Sequence, residues 1–218
     1  KHLYKKLQRE GQLERDVDRL VRNDRIAWGA SMIACQDADA MVTGNIRHYA
    51  ASIEKLKRVT DPRPGEEIFG MTMITLKGKT ILVADTNVQD FPSPERLVKV
   101  SKSCVRVARL FGFDPKVAFL SHSTFGKPIS KNTKHVRDAI NLLKKEKVDF
   151  DFDGEMQPDV ALNPIYQEIY PFSKIVGNAN ILIMPALHSA AISTKLMKGV
   201  HGPRVSNILV MEMYSSIK

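Results

Sequence analysis

Beyond residue 80 the sequence alternates short apolar runs with longer segments whose apolar residues recur at helical spacing, and that order leaves few folds open. Residues 117–120, 148–152 and 180–184 read as strands, and 94–111, 133–147, 156–169 and 189–197 as helices. Strands that alternate with helices call for right-handed crossovers. The expected class is therefore α/β, mostly parallel sheets with helices on both faces. Just ahead, 68–76 and 80–85 flank Lys77-Gly78-Lys79 and are rich in β-branched residues, which predicts a hairpin.

The first third has a different texture. Leu3, Leu7, Leu13, Val17, Leu20, Ile26 and Met32 recur at helical spacing with a break at Asn23-Asp24, so two helices are expected there. Ala40-Met41-Val42 reads as a short strand. Thr43-Gly44 reads as a turn that opens a helix over 47–58, and Asp61-Pro62-Arg63-Pro64-Gly65 is a clear break. The expected organisation is two lobes: an incomplete first one from 1–66 with 203–218, and a second α/β lobe over 67–202 that carries the ligand loops.

Composition removes several classes of function. The longest apolar runs, such as 81–84 and 181–184, fall far short of the ~18 residues of a membrane span. Cys35 and Cys104 have no metal-ligand spacing, which fits free thiols in a reducing compartment, the cytoplasm, and no metal site. The opening Lys1-His2-Leu3 lacks an initiating Met and an apolar signal region, so the chain reads as part of something longer. The net charge of +9 invites a nucleic-acid reading, but the Lys and Arg of 1–25 and 127–147 are mixed with acids and no aromatic-basic signature accompanies them. A phosphate-bearing small molecule is the better use of the same positive potential.

In sheets of this kind ligands bind beyond the carboxyl ends of the strands. There the chain reads Ser121-His122-Ser123-Thr124-Phe125-Gly126-Lys127, then Asp153-Gly154-Glu155-Met156-Gln157, then Met184-Pro185-Ala186-Leu187-His188. Short hydroxyl residues, a Gly and a Lys offer donors to a phosphate or carbonyl oxygen. An ordinary polar loop capping the next helix explains the first segment alone equally well; three such turns in series favour a site wall. Asp153 and Glu155 could act as acid and base, but are expected instead to hold a turn and a helix N-terminus. His122 and His188 are expected to be structural hydrogen bonders more readily than donors to an acyl group.

These segments, with Asp159-Val160-Ala161-Leu162, Ala179 to Pro185, Asp37-Ala38-Asp39-Ala40 and Val42-Thr43-Gly44, resemble the phosphate acetyltransferase/butyryltransferase family over nearly the whole chain. The resemblance implies two α/β lobes around a cleft that holds coenzyme A. It places acetyl-CoA against Thr43, Gly44, Arg47, Ser121, His122, Ser123, Thr124, Gly126, Lys127, Asp153, Gly154, Glu155, Gln157 and Pro185.

Two departures point to one branch. Members with transferase activity carry an Arg in a Leu-Arg-Pro where this chain has Glu54, and a carboxylate there would repel acetyl phosphate. The family's Ser-Arg-Gly loop is not seen either: His201-Gly202-Pro203-Arg204 runs almost directly into Val205, so that either the chain lacks the loop or residues are missing at a join near 202–205, and Asn207 stands where the family has Asp. No catalytic residue is therefore expected. The run Gly44-Asn45-Ile46-Arg47-His48-Tyr49, with Tyr170-Pro171-Phe172 and His188 to Lys195, resembles the C-terminal domain of large bacterial NADP-dependent malic enzymes. That branch implies a regulatory acetyl-CoA-binding domain beside an upstream malate-oxidising domain. The latter would be the home of NADP and a divalent metal, and the whole a homo-oligomer. The alternative is an active phosphate acetyltransferase.

Overall fold

The computed structural model describes residues 1–43, 49–62, 64, 67–76, 78–85, 90–201 and 205–210. The chain divides into two compact units, one from Lys1–Glu66 and one from Glu67–Val210.

The first unit is helical: α1 (His2–Leu7), α2 (Glu14–Asn23), α3 (Arg25–Ala34) and α4 (Tyr49–Val59). Three helices stand where sequence periodicity predicts two. The extra break follows a 3-10 turn at Gln8–Glu10 that closes on Gly11 at φ +78°, a conformation other residues resist. The break at Asp24 is as expected: its carboxylate caps α3 by accepting from the N–H groups of Ile26 and Ala27, and it also pairs with Lys55 of α4. Leu3, Leu7, Val17, Ile26, Ala27, Ala30, Leu56 and Val59 form the core. The strand expected at residues 40–42 is loop; no strand stands beside it among the described residues, and Val42 is fully exposed.

The second unit is a six-stranded sheet in the order β4-β3-β5-β2-β1-β6. β1 (Phe69–Leu76) and β2 (Lys79–Ala84) form the expected hairpin, with Leu76 opposite Lys79. β3 (Lys116–Leu120), β4 (Asp151–Met156) and β5 (Ile181–Ile183) join β2 in parallel. β6 (Val205–Val210) lies antiparallel to β1 and so runs with the other four. The sequence assigns 203–218 to the first lobe; of these residues Val205–Val210, by their ladder with Phe69 to Ile74 of β1, belong to the second unit, and the others lie outside the described residues.

Strand periodicity sets the layers. Val117 and Phe119 point into one core with α5 (Pro94–Leu110) and α6 (Lys134–Glu146), while Ala118 and Leu120 point into another. The second core is closed by Val160 and Ala161 of α7 (Pro158–Leu162) and Ala190 of α9 (Leu187–His201). α8 (Pro164–Gln167) follows α7 directly. The single helix expected over 156–169 is thus two short ones, interrupted where Asn163 caps Ile165 and Pro164 lacks the N–H a continuing helix needs. This is a mixed α/β fold with its parallel strand ends at one edge.

Candidate functional site

The strand-end loops are tied to one another by backbone hydrogen bonds. After β3, Ser121 N–H donates to the Met156 carbonyl at 3.0 Å and Phe125 N–H to the Glu155 carbonyl at 2.7 Å. The next residues close a tight turn in which Thr124 and Lys127 exchange N–H and carbonyl bonds, at 2.8 and 3.1 Å. Gly126, at φ +85°, permits it. Gln157 completes the tie: its N–H reaches Thr124 Oγ1 at 3.3 Å and its side-chain amide the His122 carbonyl at 2.7 Å.

Beneath this surface lies a buried polar chain. Ser123 Oγ donates to Glu155 Oε1 at 2.6 Å, and the hydroxyls of Ser121 and Ser123 are 3.2 Å apart. Because Ser123 spends its hydrogen on the carboxylate, Ser121 is the donor between them. Arg137 Nη1 of α6 meets the same carboxylate oxygen at 2.9 Å and Thr133 Oγ1 at 2.7 Å, and Nη2 donates to the Ser130 carbonyl at 2.9 Å. Glu155 is 1% exposed. A carboxylate so deeply buried is tolerated because a guanidinium and a hydroxyl both donate to it.

Asp153 holds a further segment, accepting from Gly154 N–H at 2.9 Å and from Lys174 N–H at 2.7 Å. His135 of α6 is 2.9 Å through Nε2 from the Pro185 carbonyl, linking the loop after β5. At the end of β2, buried Asp85 accepts from Gly70 N–H at 2.7 Å and from Arg96 Nη2 of α5 at 3.1 Å, and Arg96 also pairs with Glu67. Burial pulls the Arg96 guanidinium below its ordinary pKa.

Of the residues singled out in the sequence, Ser121, Ser123, Thr124, Asp153, Gly154, Glu155 and Gln157 come together here with His122, Gly126 and Lys127 on the same loop; Pro185 joins through His135. Their jobs differ from expectation. Ser121, Ser123 and Glu155 are internal, whereas His122, Lys127 and Gln157 present exposed side chains. Asp153, Gly154 and Glu155 are not a turn leading to a helix N-terminus: they lie inside β4, which runs 151–156 and not 148–152, Asp153 and Gly154 opposite Ala118 and Phe119 of β3 and Glu155 at the irregularity before Met156 meets Leu120. Thr43 is an exposed loop residue of the first unit, and Gly44 and Arg47 lie outside the described residues. Glu54 is exposed on α4, and His188 is exposed with its ring centroid 5.8 Å from that of Phe91.

Sequence reasoning missed Arg137, Thr133 and His135. The readable signal was position: a hydroxyl residue followed four places later by an Arg, on the first turns of the helix after a ligand loop, puts both on one helical face.

A family described as phosphate acetyl/butaryl transferase matches residues 1–207. The NADP-dependent malic enzyme of Rhizobium meliloti is 44% identical over 216 residues, which are 99% of this chain and 28% of that protein. The probable NADP-dependent malic enzyme of Rickettsia prowazekii is 38% identical over 90% of this chain and 27% of its own length. The chain thus spans little more than a quarter of these relatives. Among solved structures, a phosphotransacetylase from Streptococcus pyogenes aligns with a TM-score of 0.85 at 24% identity, over 98% of this chain and 67% of that one, a likeness of fold.

Proposed function

The chain belongs to the phosphate acetyl/butaryl transferase family, and from that premise we propose that it is an acetyl-CoA-binding regulatory domain of an NADP-dependent malic enzyme. The observation that carries the reading is one of proportion: 99% of this chain matches only 28% of a protein named for malate chemistry. A segment of that kind is a domain within a longer enzyme. The strand-end loops support a phosphate-bearing ligand, since Lys127 is exposed on a tight turn that interlocks with the loop after β4. NADP, a divalent metal and the oxidative decarboxylation of malate fall, on this reading, to residues outside the chain. The partners are an acyl-CoA, the malic enzyme catalytic domain in cis and further copies of the same protein, in the cytoplasm.

An active phosphate acetyltransferase is the second reading, favoured by the family description itself. Against it stands Glu54, an exposed carboxylate where the family's transferases carry an anion-binding Arg. Titration calorimetry with acetyl-CoA and with NADP, run beside an assay of acetyl transfer from acetyl phosphate to coenzyme A, separates the two. The expected outcome is binding of acetyl-CoA, no binding of NADP and negligible transfer. Turnover near the ~10 per second of a typical enzyme would establish the transferase instead, and NADP binding alone would defeat both readings.

A further inference from the structure

We infer that Arg137 is a phosphate-binding residue, which takes the anion on the Nε–Nη2 edge of its guanidinium while Glu155 pins the opposite side. The inference rests on the reading that a phosphate-bearing ligand approaches the carboxyl ends of the strands.

A guanidinium carries five N–H donors in a fixed plane. Here three are engaged: Nη1 with Glu155 Oε1 and Thr133 Oγ1, and Nη2 with the Ser130 carbonyl. Thr133 Oγ1 and the Ser130 carbonyl are themselves 3.1 Å apart and so sit together off the Nη1–Nη2 end of the group; that leaves Nε–H and the Nη2–H beside it, two parallel donors along one edge, the geometry that grips two oxygens of one phosphate or carboxylate. Among the described residues nothing accepts from either. Nor is Nε sealed from solvent, unlike Arg96 Nε and Glu155 Oε2, which among the described residues are the buried side-chain atoms without a partner. The Arg137 side chain keeps 32% of its surface exposed while that of Glu155 keeps 0%. One side of the fork is therefore locked against a sealed carboxylate, while the side chain as a whole keeps part of its surface in solvent and its Nε is not buried.

Locking matters for affinity. A free surface Arg loses side-chain freedom when it grips an anion, whereas Arg137 is already ordered by three hydrogen bonds before a ligand arrives. The surroundings suit an anion as well. Lys131 and Lys134 are exposed on the same turn and helix start, and the first turn of α6 holds no acidic residue. An Arg that served only to neutralise Glu155 would need no free edge.

That contrast supplies the test. Arg137→Lys keeps a cation for Glu155 but cannot present two parallel donors; Arg137→Gln is the second variant. Acetyl-CoA and acetyl phosphate are titrated into the intact wild-type protein and both variants, with melting followed throughout. With melting unchanged, Arg137→Lys should weaken acetyl-CoA binding about ten- to hundred-fold, and Arg137→Gln at least as much. A loss confined to acetyl phosphate would keep Arg137 as the phosphate anchor and make that compound the source of the phosphate. If wild type also fails to bind acetyl-CoA, the acyl-CoA reading falls and the anchor stands. Affinities for both probes within about threefold of wild type in a folded Arg137→Lys protein would overturn the inference, as would a wild-type protein that binds neither probe.

Discussion

A Cβ on residue 154 would stand 2.6 Å from the Phe119 carbonyl oxygen, and φ there is +143°, so only glycine lets β4 run this close beside β3. Glu155 then turns a carboxylate into the protein interior, and Gln157, two residues on, forms the surface tie to Thr124. This alternation explains why the site residues were legible as a group and not in their roles. Asp, Gly and Glu in succession carry turn chemistry, whereas the partners that make them acceptable in a strand, Arg137, Ser123 and the Lys174 N–H, come from 18 or more positions away in sequence. Lys127, directly after Gly126, has an exposed side chain. If it meets a phosphate of coenzyme A, Lys127→Ala removes a charge-assisted hydrogen bond of roughly 1.5–3 kcal/mol and weakens acetyl-CoA about ten- to hundred-fold without altering the melting point. Titrations at two salt concentrations check this, because a Lys acting only through the general field changes affinity by less than about threefold, and that little vanishes at high salt.

At the scale of elements, the hairpin and the β3-α6-β4 and β5-α9 successions were readable because apolar periodicity and burial agree along them. Residues 40–42 and the start of β4 were not, since apolar and β-branched composition suggests a strand only where a neighbour exists to pair with it. α5 bears a quantitative consequence of its burial. Its Cys104 lies fully buried with Sγ 3.7 Å from Met71 Sδ of β1, and desolvation pushes the thiol from the ordinary 9.0 up to about 12. A raised folded-state pKa means that the stabilising contribution is complete below the unfolded value and is lost as pH climbs toward the folded one. Between about pH 9 and 12 Cys104 should therefore cost stability at up to about 1.4 kcal/mol per pH unit. Urea unfolding at about pH 8, 9.5 and 10.5 measures it: Cys104→Ala, although less stable at the outset, should lose stability less steeply than wild type. Equal slopes would remove the thiol from the account.

For the whole molecule, the +9 net charge and the parallel strand ends lead to the same expectation, that a polyanion is the natural ligand and that its binding is felt as stability. No helix among the described residues is long and apolar enough to cross a membrane, and none is needed for such a ligand. A molecule that binds only the folded state raises stability by RT ln(1 + [L]/Kd), about 2.7 kcal/mol at a hundred times Kd. For a chain of 218 residues, each kcal/mol moves the melting temperature by roughly 2–4 °C. Acetyl-CoA at that excess should therefore raise Tm by about 5–10 °C, and the rise should continue with the logarithm of concentration because linkage does not saturate. NADP shares the adenine and the phosphates but not the acyl-pantetheine arm, so it controls for attraction of any polyanion to a basic chain. Scanning calorimetry across an acetyl-CoA series, with NADP in parallel, decides the matter. A rise specific to acetyl-CoA supports the regulatory domain, while equal rises with both ligands would mean that the protein responds to the adenine and phosphates they share and does not recognise the acyl-pantetheine arm.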